Sequence, residues 1–149
     1  MTLKVIFDKM QEVKKLTLKK LAEHFEMVDA DKHWFYNVET GEFDYYSDDG
    51  DSDGDTERFE DKKYIRLPSQ FDLNEYEIMQ DFAYTVMIPE KQGMLLFALG
   101  GKGAFRRFKD AVNGLNLRED WWAFRLAAFK EIAKNWCERN GIEYTEDGK

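Results

Sequence analysis

The stretch His33-Trp-Phe-Tyr-Asn-Val-Glu-Thr-Gly-Glu-Phe-Asp-Tyr-Tyr46 decides the fold class of this chain. Aromatic and β-branched residues stand on both sides of Glu39-Thr-Gly41, a pattern typical of two strands joined by a turn. Residues 63–67 have a similar character and end at Pro68, which has no backbone N–H to donate to a sheet. We therefore expect a small antiparallel sheet of about three strands.

Much of the remaining chain carries apolar residues at helical spacing. Thr17 can cap one short helix, and Asp72 followed by Glu75 resembles a capping box at the start of another. The predicted helices cover residues 3–13, 18–25, 72–87, 104–113 and 118–140. Together these patterns predict an α+β fold in which the sheet packs with four to five helices as a single pair of layers.

Length and composition are typical of one domain spanning residues 1–149. The chain is 43% hydrophobic and 15% aromatic, which is enough for one sizeable core. Its one cysteine, Cys137, lies at the edge of a helical apolar arc, so we expect a buried structural thiol. No apolar segment resembles a signal peptide or a transmembrane span. We therefore expect a cytoplasmic protein without a membrane partner.

The negative charge is concentrated in one segment. Residues 48–61 contain eight acids and one base, while the whole chain has a net charge of −8. Such a composition predicts a flexible, solvated acidic loop over residues 47–61. The rest of the chain is close to neutral, so we do not expect a nucleic-acid partner.

Residues 49–60 of this loop fit the spacing of a twelve-residue calcium loop, with Gly54 at the sixth position. Calcium requires many oxygen ligands. Against this hypothesis, Thr56 stands where an aliphatic residue is usual, and the residues before the loop predict a strand. The alternative is an acidic loop that only mimics the pattern. The candidate ligands are Asp49, Asp51, Asp53, Asp55, Glu57 and Glu60.

A second candidate site is the segment Gly101-Lys-Gly-Ala-Phe-Arg-Arg-Phe-Lys-Asp110. Its glycines interrupt an apolar run just before a predicted helix start, where free backbone N–H groups favour an anion. The predicted anion-binding residues of this segment are Gly101, Lys102, Gly103, Arg106 and Arg107. Helical spacing predicts that Phe105 and Phe108 face inward, away from these cations, which argues against base stacking. The alternative is a turn followed by a solvated cationic surface.

Arg125 falls within the apolar arc of the last helix, one turn from Trp121 and Phe129. We expect its guanidinium to stack on an indole and to pair with a carboxylate such as Asp110 or Asp81. Otherwise it reaches the anion site beside Lys102 and contributes to it.

The hairpin, the segment 101–110 and the following Leu117-Arg-Glu-Asp-Trp-Trp-Ala-Phe124 together resemble an uncharacterised bacterial protein family. Its members carry a Thr-Gly-Glu hairpin, a Gly-Ala-Phe-x-x-Phe-Lys-Asp box and a following tryptophan. The resemblance covers about residues 17–136 and implies a small cytosolic bacterial protein without assigned catalytic residues. This chain departs from the family in its acidic insert and in the doublet Trp121-Trp122, where the family has tryptophan followed by tyrosine.

The sequence contains no catalytic pattern that we can identify. Its two histidines, His24 and His33, do not have the spacing of a metal site. We therefore expect a non-catalytic binding or adaptor protein that takes a small anionic ligand or a protein partner. The alternatives are a calcium-binding protein, an enzyme with an unrecognised site, and a nucleic-acid binder.

Overall fold

The computed structural model describes residues 16–48 and 56–146. The predicted helix at 3–13 and the four aspartates at 49–55 lie outside these residues. The helices are α1 (Leu18–Phe25), α2 (Gln70–Leu73), α3 (Glu75–Thr85), α4 (Pro89–Ala98), α5 (Ala104–Gly114) and α6 (Arg118–Arg139). The strands are β1 (Leu16–Thr17), β2 (Lys32–Asn37), β3 (Phe43–Ser47), β4 (Tyr64–Arg66) and β5 (Tyr144–Thr145). The predicted α+β class is confirmed.

The predicted three-stranded antiparallel sheet is present, with the strand order β3-β2-β4. Trp34 pairs with Tyr45 in the hairpin, and Phe35 pairs with Arg66 on the other edge. Asn37 Oδ1 accepts hydrogen bonds from two turn amides, and Gly41 has a φ of 77°, a value that favours glycine. A two-stranded parallel pair, β1 with β5, was not predicted.

The acidic segment connects opposite edges of this sheet, because β3 and β4 flank β2. Residues Glu57–Glu60 form one 3₁₀ turn. Within it, Phe59 places its ring 4.3 Å from the ring of Phe35 and 4.9 Å from that of Tyr64, measured between centroids. The end of the predicted flexible loop is thus fastened to one face of the sheet. On the opposite face, Trp34 contacts His24 of α1.

The chain forms two compact units. Among the described residues, one unit contains those up to Leu73 together with those from Lys130 onward, and the other is Asn74–Phe129. The first unit holds the sheet, with the indole of Trp136 packed edge-on against Tyr36. The prediction of a single domain stays a prediction.

The second unit is helical and has an aromatic core. The ring of Phe82 lies 5.4 Å from that of Trp121 and 6.3 Å from that of Phe108, measured between centroids. Met79 and Leu95 of the same unit are also fully buried. Aromatic pairs at these distances favour edge-to-face contacts, which fix the packing of α3, α5 and α6.

The prediction of one continuous helix over residues 72–87 is wrong. Asn74 takes a left-handed conformation with a φ of 46°, so the chain turns there and α3 begins afresh at Glu75. Asp72 does not cap this helix but accepts hydrogen bonds from the backbone N–H and hydroxyl of Ser69. None of the helices in the described part of the chain is long and apolar enough to cross a membrane.

Candidate functional site

The loop between α4 and α5, together with the first turn of α5, forms the α4–α5 corner, defined as residues 99–107. Gly101 and Gly103 have φ angles of 75° and 76°, in the left-handed region that favours glycine. Gly103 is the N-cap of α5. The two glycines therefore turn the chain into the helix, as both interpretations of the sequence require.

The start of α5 combines two features that raise its positive potential. Gly103 has no side chain to accept a hydrogen bond from the first-turn amides, whereas Thr17 caps α1 and Asn74 caps α3 in this way. The first turn of α5 contains no acid, and the exposed side chains of Lys102 and Arg106 adjoin it. Cations at a helix N-terminus are unfavourable because they add to the positive end of the helix dipole. An anion at this place would offset that cost.

Arg107 is engaged by the corner itself. Its Nε donates to the carbonyl oxygen of Ala98 at 3.1 Å, and its terminal nitrogens donate to the carbonyls of Gly100 and Lys102. A Cβ at Gly103 would lie 3.2 Å from Arg107 Nη1, so glycine also leaves space for the guanidinium. Arg107 therefore holds the loop against the end of α4, and its predicted contact with an anion stays a prediction.

The prediction that Phe105 faces inward is wrong, while the one for Phe108 is confirmed. Phe108 is fully buried, but Phe105 is 45% exposed and Phe97, on the last turn of α4, is 86% exposed. Helical spacing sets the direction of a side chain but does not bury it on a terminal turn that no neighbouring element covers. The separation of aromatics from cations, which argued against stacking partners, therefore does not hold at Phe105.

Arg125 has the structural role that one of the two interpretations predicted. Its Nε donates to Glu75 Oε1 at 2.6 Å, and its guanidinium lies 4.9 Å from the centroid of the Phe129 ring. The observed carboxylate is Glu75, where we expected one such as Asp110 or Asp81, and the observed ring is a phenyl, where we expected an indole. A contribution of Arg125 to anion binding stays a prediction.

The candidate calcium ligands are only partly described. Asp49, Asp51, Asp53 and Asp55 lie outside the described residues. Glu57 and Glu60 are exposed on the 3₁₀ turn. Within residues 16–48 and 56–146, no cluster of three or more carboxylate, imidazole or thiol groups is arranged to hold a metal. Calcium binding stays a prediction.

The two histidines have different environments. His24 is buried, and burial lowers its pKa from 6.5 to about 4. His33 places Nε2 2.8 Å from Asp48 Oδ1, and its Nδ1 lies 3.3 Å from a terminal nitrogen of Arg66. The imidazole therefore lies between a carboxylate and a guanidinium. His33 of β2 thus contacts Asp48, the first residue of the acidic segment at 48–61.

Cys137 is fully buried, as expected of a structural thiol. Burial raises the pKa of this thiol to about 11, with a smaller contribution from the charge of Glu138. The thiolate, which is the reactive form of cysteine, is therefore disfavoured at neutral pH.

A cleft in the first unit was not predicted. It has a volume of about 460 Å³ and lies where the chain leaves β4, beside the last turns of α6. We call it the β4–α6 cleft, and six of its lining residues define it: Leu67, Pro68, Asp72, Ile132, Trp136 and Arg139. No spacing rule joins residues so far apart in sequence, so sequence patterns could not reveal it.

Comparison of the chain with protein-family models, with curated proteins and with solved structures finds no match.

Proposed function

We propose that this protein is a non-catalytic binding protein that takes an anionic ligand at the α4–α5 corner. The ligand is a phosphate or carboxylate group that contacts the first-turn amides of α5 and the side chains of Lys102 and Arg106. We further propose that the protein is cytoplasmic and related to the uncharacterised bacterial family that its motifs resemble.

One observation carries this proposal: α5 begins without a capping side chain and without an acid, yet with two exposed cations beside it. A helix start is usually stabilised by a side chain that accepts hydrogen bonds from its free N–H groups. A negative charge there also interacts favourably with the positive end of the helix dipole. At α5 the chain supplies positive charge instead. An external anion accepts hydrogen bonds from the free N–H groups and also compensates the positive charge.

The corner supports this role through its rigidity. The three hydrogen bonds of Arg107 fix the loop before any ligand arrives, so binding orders few additional groups. Phe97 and Phe105 expose apolar surface near the cations in sequence. The anionic group is therefore expected to belong to a ligand with an apolar or aromatic portion.

The proposal is tested by thermal unfolding in sodium phosphate, compared with sodium chloride at equal ionic strength to remove general screening. Binding to the folded state stabilises it by about 1.4 kcal/mol when the ligand is at roughly ten times its Kd. We expect this stabilisation in the wild type and its loss in the double variant Lys102→Gln, Arg106→Gln.

The matched control is the double variant Lys19→Gln, Lys62→Gln, which removes two exposed cations in the first unit. It should keep the phosphate effect. Equal stabilisation of all three proteins would show nonspecific binding and overturn the proposal. A native mass spectrum of protein purified without chelator then identifies the class of any bound anion by its mass.

A further inference from the structure

We propose that the β4–α6 cleft binds a small zwitterion of the α-amino-acid type, with its carboxylate at Arg139 and its ammonium at Asp72. The cleft lies entirely in the first unit, whereas the α4–α5 corner lies in the second. This inference therefore does not rest on the proposed anion site.

The charges of the cleft select this class of ligand. Three charged side chains line the cleft, Arg66, Asp72 and Arg139, and Asp72 forms no ion pair with either arginine. An anion alone would meet the carboxylate of Asp72, and a cation alone would meet the two guanidinium groups. A ligand with both charges can place its carboxylate at Arg139 and its ammonium at Asp72. A planar guanidinium binds a carboxylate through two parallel hydrogen bonds.

Asp72, across the cleft, and Glu138, next in sequence, do not form an ion pair with Arg139. A terminal nitrogen of Arg66, which also lines the cleft, lies 3.3 Å from His33 Nδ1. Glu138, next to Arg139 in sequence, has its Oε2 3.4 Å from the hydroxyl of Tyr144, which donates to it. The guanidinium of Arg139 is thus available to a ligand carboxylate.

Hydrogen bonds hold the walls of the cleft in place. Trp136 Nε1 donates to the carbonyl of Arg66 at 2.8 Å, and Asn140 Nδ2 donates to the carbonyl of Trp136 at 2.8 Å. Asp72 Oδ2 accepts from the backbone N–H of Ser69 at 2.9 Å and from its hydroxyl at 3.0 Å. This leaves Oδ1 of Asp72 to accept from an ammonium, in a position fixed before binding.

The remaining lining matches a small apolar side chain. Leu67, Pro68 and Ile132 contribute aliphatic surface, and Trp136 contributes its indole. The volume of about 460 Å³ lies within the range of about 300–1,000 Å³ that is usual for small-molecule sites. The cleft therefore has room for an amino acid with an aliphatic or aromatic side chain.

The test is a ¹⁵N NMR titration that follows the indole N–H of Trp136 and the side-chain amide of Asn140. The probes are L-alanine, L-leucine and L-phenylalanine. Their side chains differ in size, so a ligand that is too small or too large for the cleft does not determine the outcome. We expect at least one of them to shift both signals saturably. Leucinamide, which lacks the carboxylate, and 4-methylpentanoate, which lacks the ammonium, should each bind about tenfold more weakly than leucine or worse.

Variants give a second readout. Arg139→Gln and Asp72→Asn should each weaken binding by about tenfold, and Asn at position 72 keeps an oxygen for Ser69. The matched controls Arg118→Gln and Asp81→Asn change exposed residues of the second unit and should bind like the wild type. Absence of saturable shifts with all three amino acids would overturn the proposal. If leucinamide or 4-methylpentanoate bound as tightly as leucine, the proposal would be overturned as well, whatever the variants do.

Discussion

The imidazole of His24 meets the indole of Trp34 edge-on, with ring centroids 4.4 Å apart and an angle of 85° between the planes. Both rings are polar, yet in the described part of the chain His24 Nε2 and Trp34 Nε1 are buried without a hydrogen-bond partner. The ring of Phe43 also contacts the imidazole, with the two centroids 4.5 Å apart. A neutral imidazole tolerates this apolar site, whereas a charged one is strongly disfavoured.

Stability should therefore fall in mild acid because of His24. Its pKa is about 4 in the folded protein and about 6.5 in the unfolded chain, so the unfolded state binds more protons between these values. Protonation of His24 therefore does not lower the free energy of unfolding above pH 6.5. The free energy of unfolding falls as the pH decreases from 6.5 towards 4. A shift of this size corresponds to on the order of 3 kcal/mol.

Urea unfolding at pH 7, 6 and 5 checks this prediction in the wild type and in His24→Phe. The variant removes the titrating group and an unpaired buried nitrogen, so its stability should depend less on pH and should match or exceed that of the wild type at pH 5. His33→Gln, which changes the histidine beside Asp48, is the control and should retain the His24-dependent loss. Parallel curves for the wild type and His24→Phe would contradict the assignment.

The ion pair between Arg125 and Glu75 should stabilise the second unit. Both side chains are about three-quarters or more buried, with exposures of 19% and 26%, so removing either partner leaves a charge that is partly desolvated. We expect Arg125→Gln and Glu75→Gln each to cost about 1–3 kcal/mol and the double variant to cost less than their sum. Denaturant unfolding measures the cycle. Additive effects would show that the pair does not couple the two residues. The control is the exposed substitution Lys109→Gln in the same unit, which should cost less than about 0.5 kcal/mol.

Substitutions at the α4–α5 corner should separate strain from helix propensity. Gly103→Ala forces a left-handed alanine and places a Cβ 3.2 Å from Arg107 Nη1, so we expect a loss of about 1–2 kcal/mol. Gly93→Ala is the matched control, because nothing lies within 4 Å of the added Cβ in the middle of α4. It should stabilise the protein by about 0.5–1 kcal/mol. If both variants shifted the melting temperature in the same direction, the strain at Gly103 would not be supported.

Arg107→Lys tests the role of the guanidinium in the same corner. One ammonium cannot reproduce the planar fork that reaches the carbonyls of Ala98, Gly100 and Lys102. We expect a loss of about 1–2 kcal/mol, because two backbone acceptors lose a charged donor. A variant as stable as the wild type in chemical denaturation would contradict this structural role.

Phe59 should anchor the acidic segment to the sheet. Phe59→Ala removes its contacts with Phe35, Tyr46 and Tyr64, and we expect it to cost about 2–3 kcal/mol. Phe71→Ala deletes an equal ring that is 84% exposed and should cost less than about 0.5 kcal/mol. Similar midpoints of urea unfolding for the two variants would show that the turn does not stabilise the sheet.

Local patterns predicted the elements that are determined by neighbouring residues. The hairpin around Glu39-Thr-Gly41 and the cap at Thr17 both depend on residues within a few positions of each other. The break at Asn74 was missed, because Asp72 and Asn74 are both good capping residues and the spacing does not say which one ends a helix. The left-handed conformation of Asn74 separates the two helices, and the spacing of apolar residues does not predict that conformation.

Long-range pairings could not be predicted. The β1–β5 pair joins Leu16 to Tyr144 through two-residue strands, which are too short to show alternation. For Arg125, the need for a carboxylate was evident from its apolar surroundings, but the partner, Glu75, is 50 positions away in sequence. The β4–α6 cleft likewise depends on Asp72 and Arg139, which are distant in sequence, lining the same cavity.

The decisive measurement on the anion site at the start of α5 is a ¹H–¹⁵N NMR titration of the protein with inorganic phosphate at constant ionic strength. We expect saturable shifts of the backbone amides of Ala104, Phe105 and Arg106, and the loss of these shifts in the double variant Lys102→Gln, Arg106→Gln. Shifts that do not saturate, or that spread evenly over exposed lysines in both units, would contradict an anion site at the start of α5.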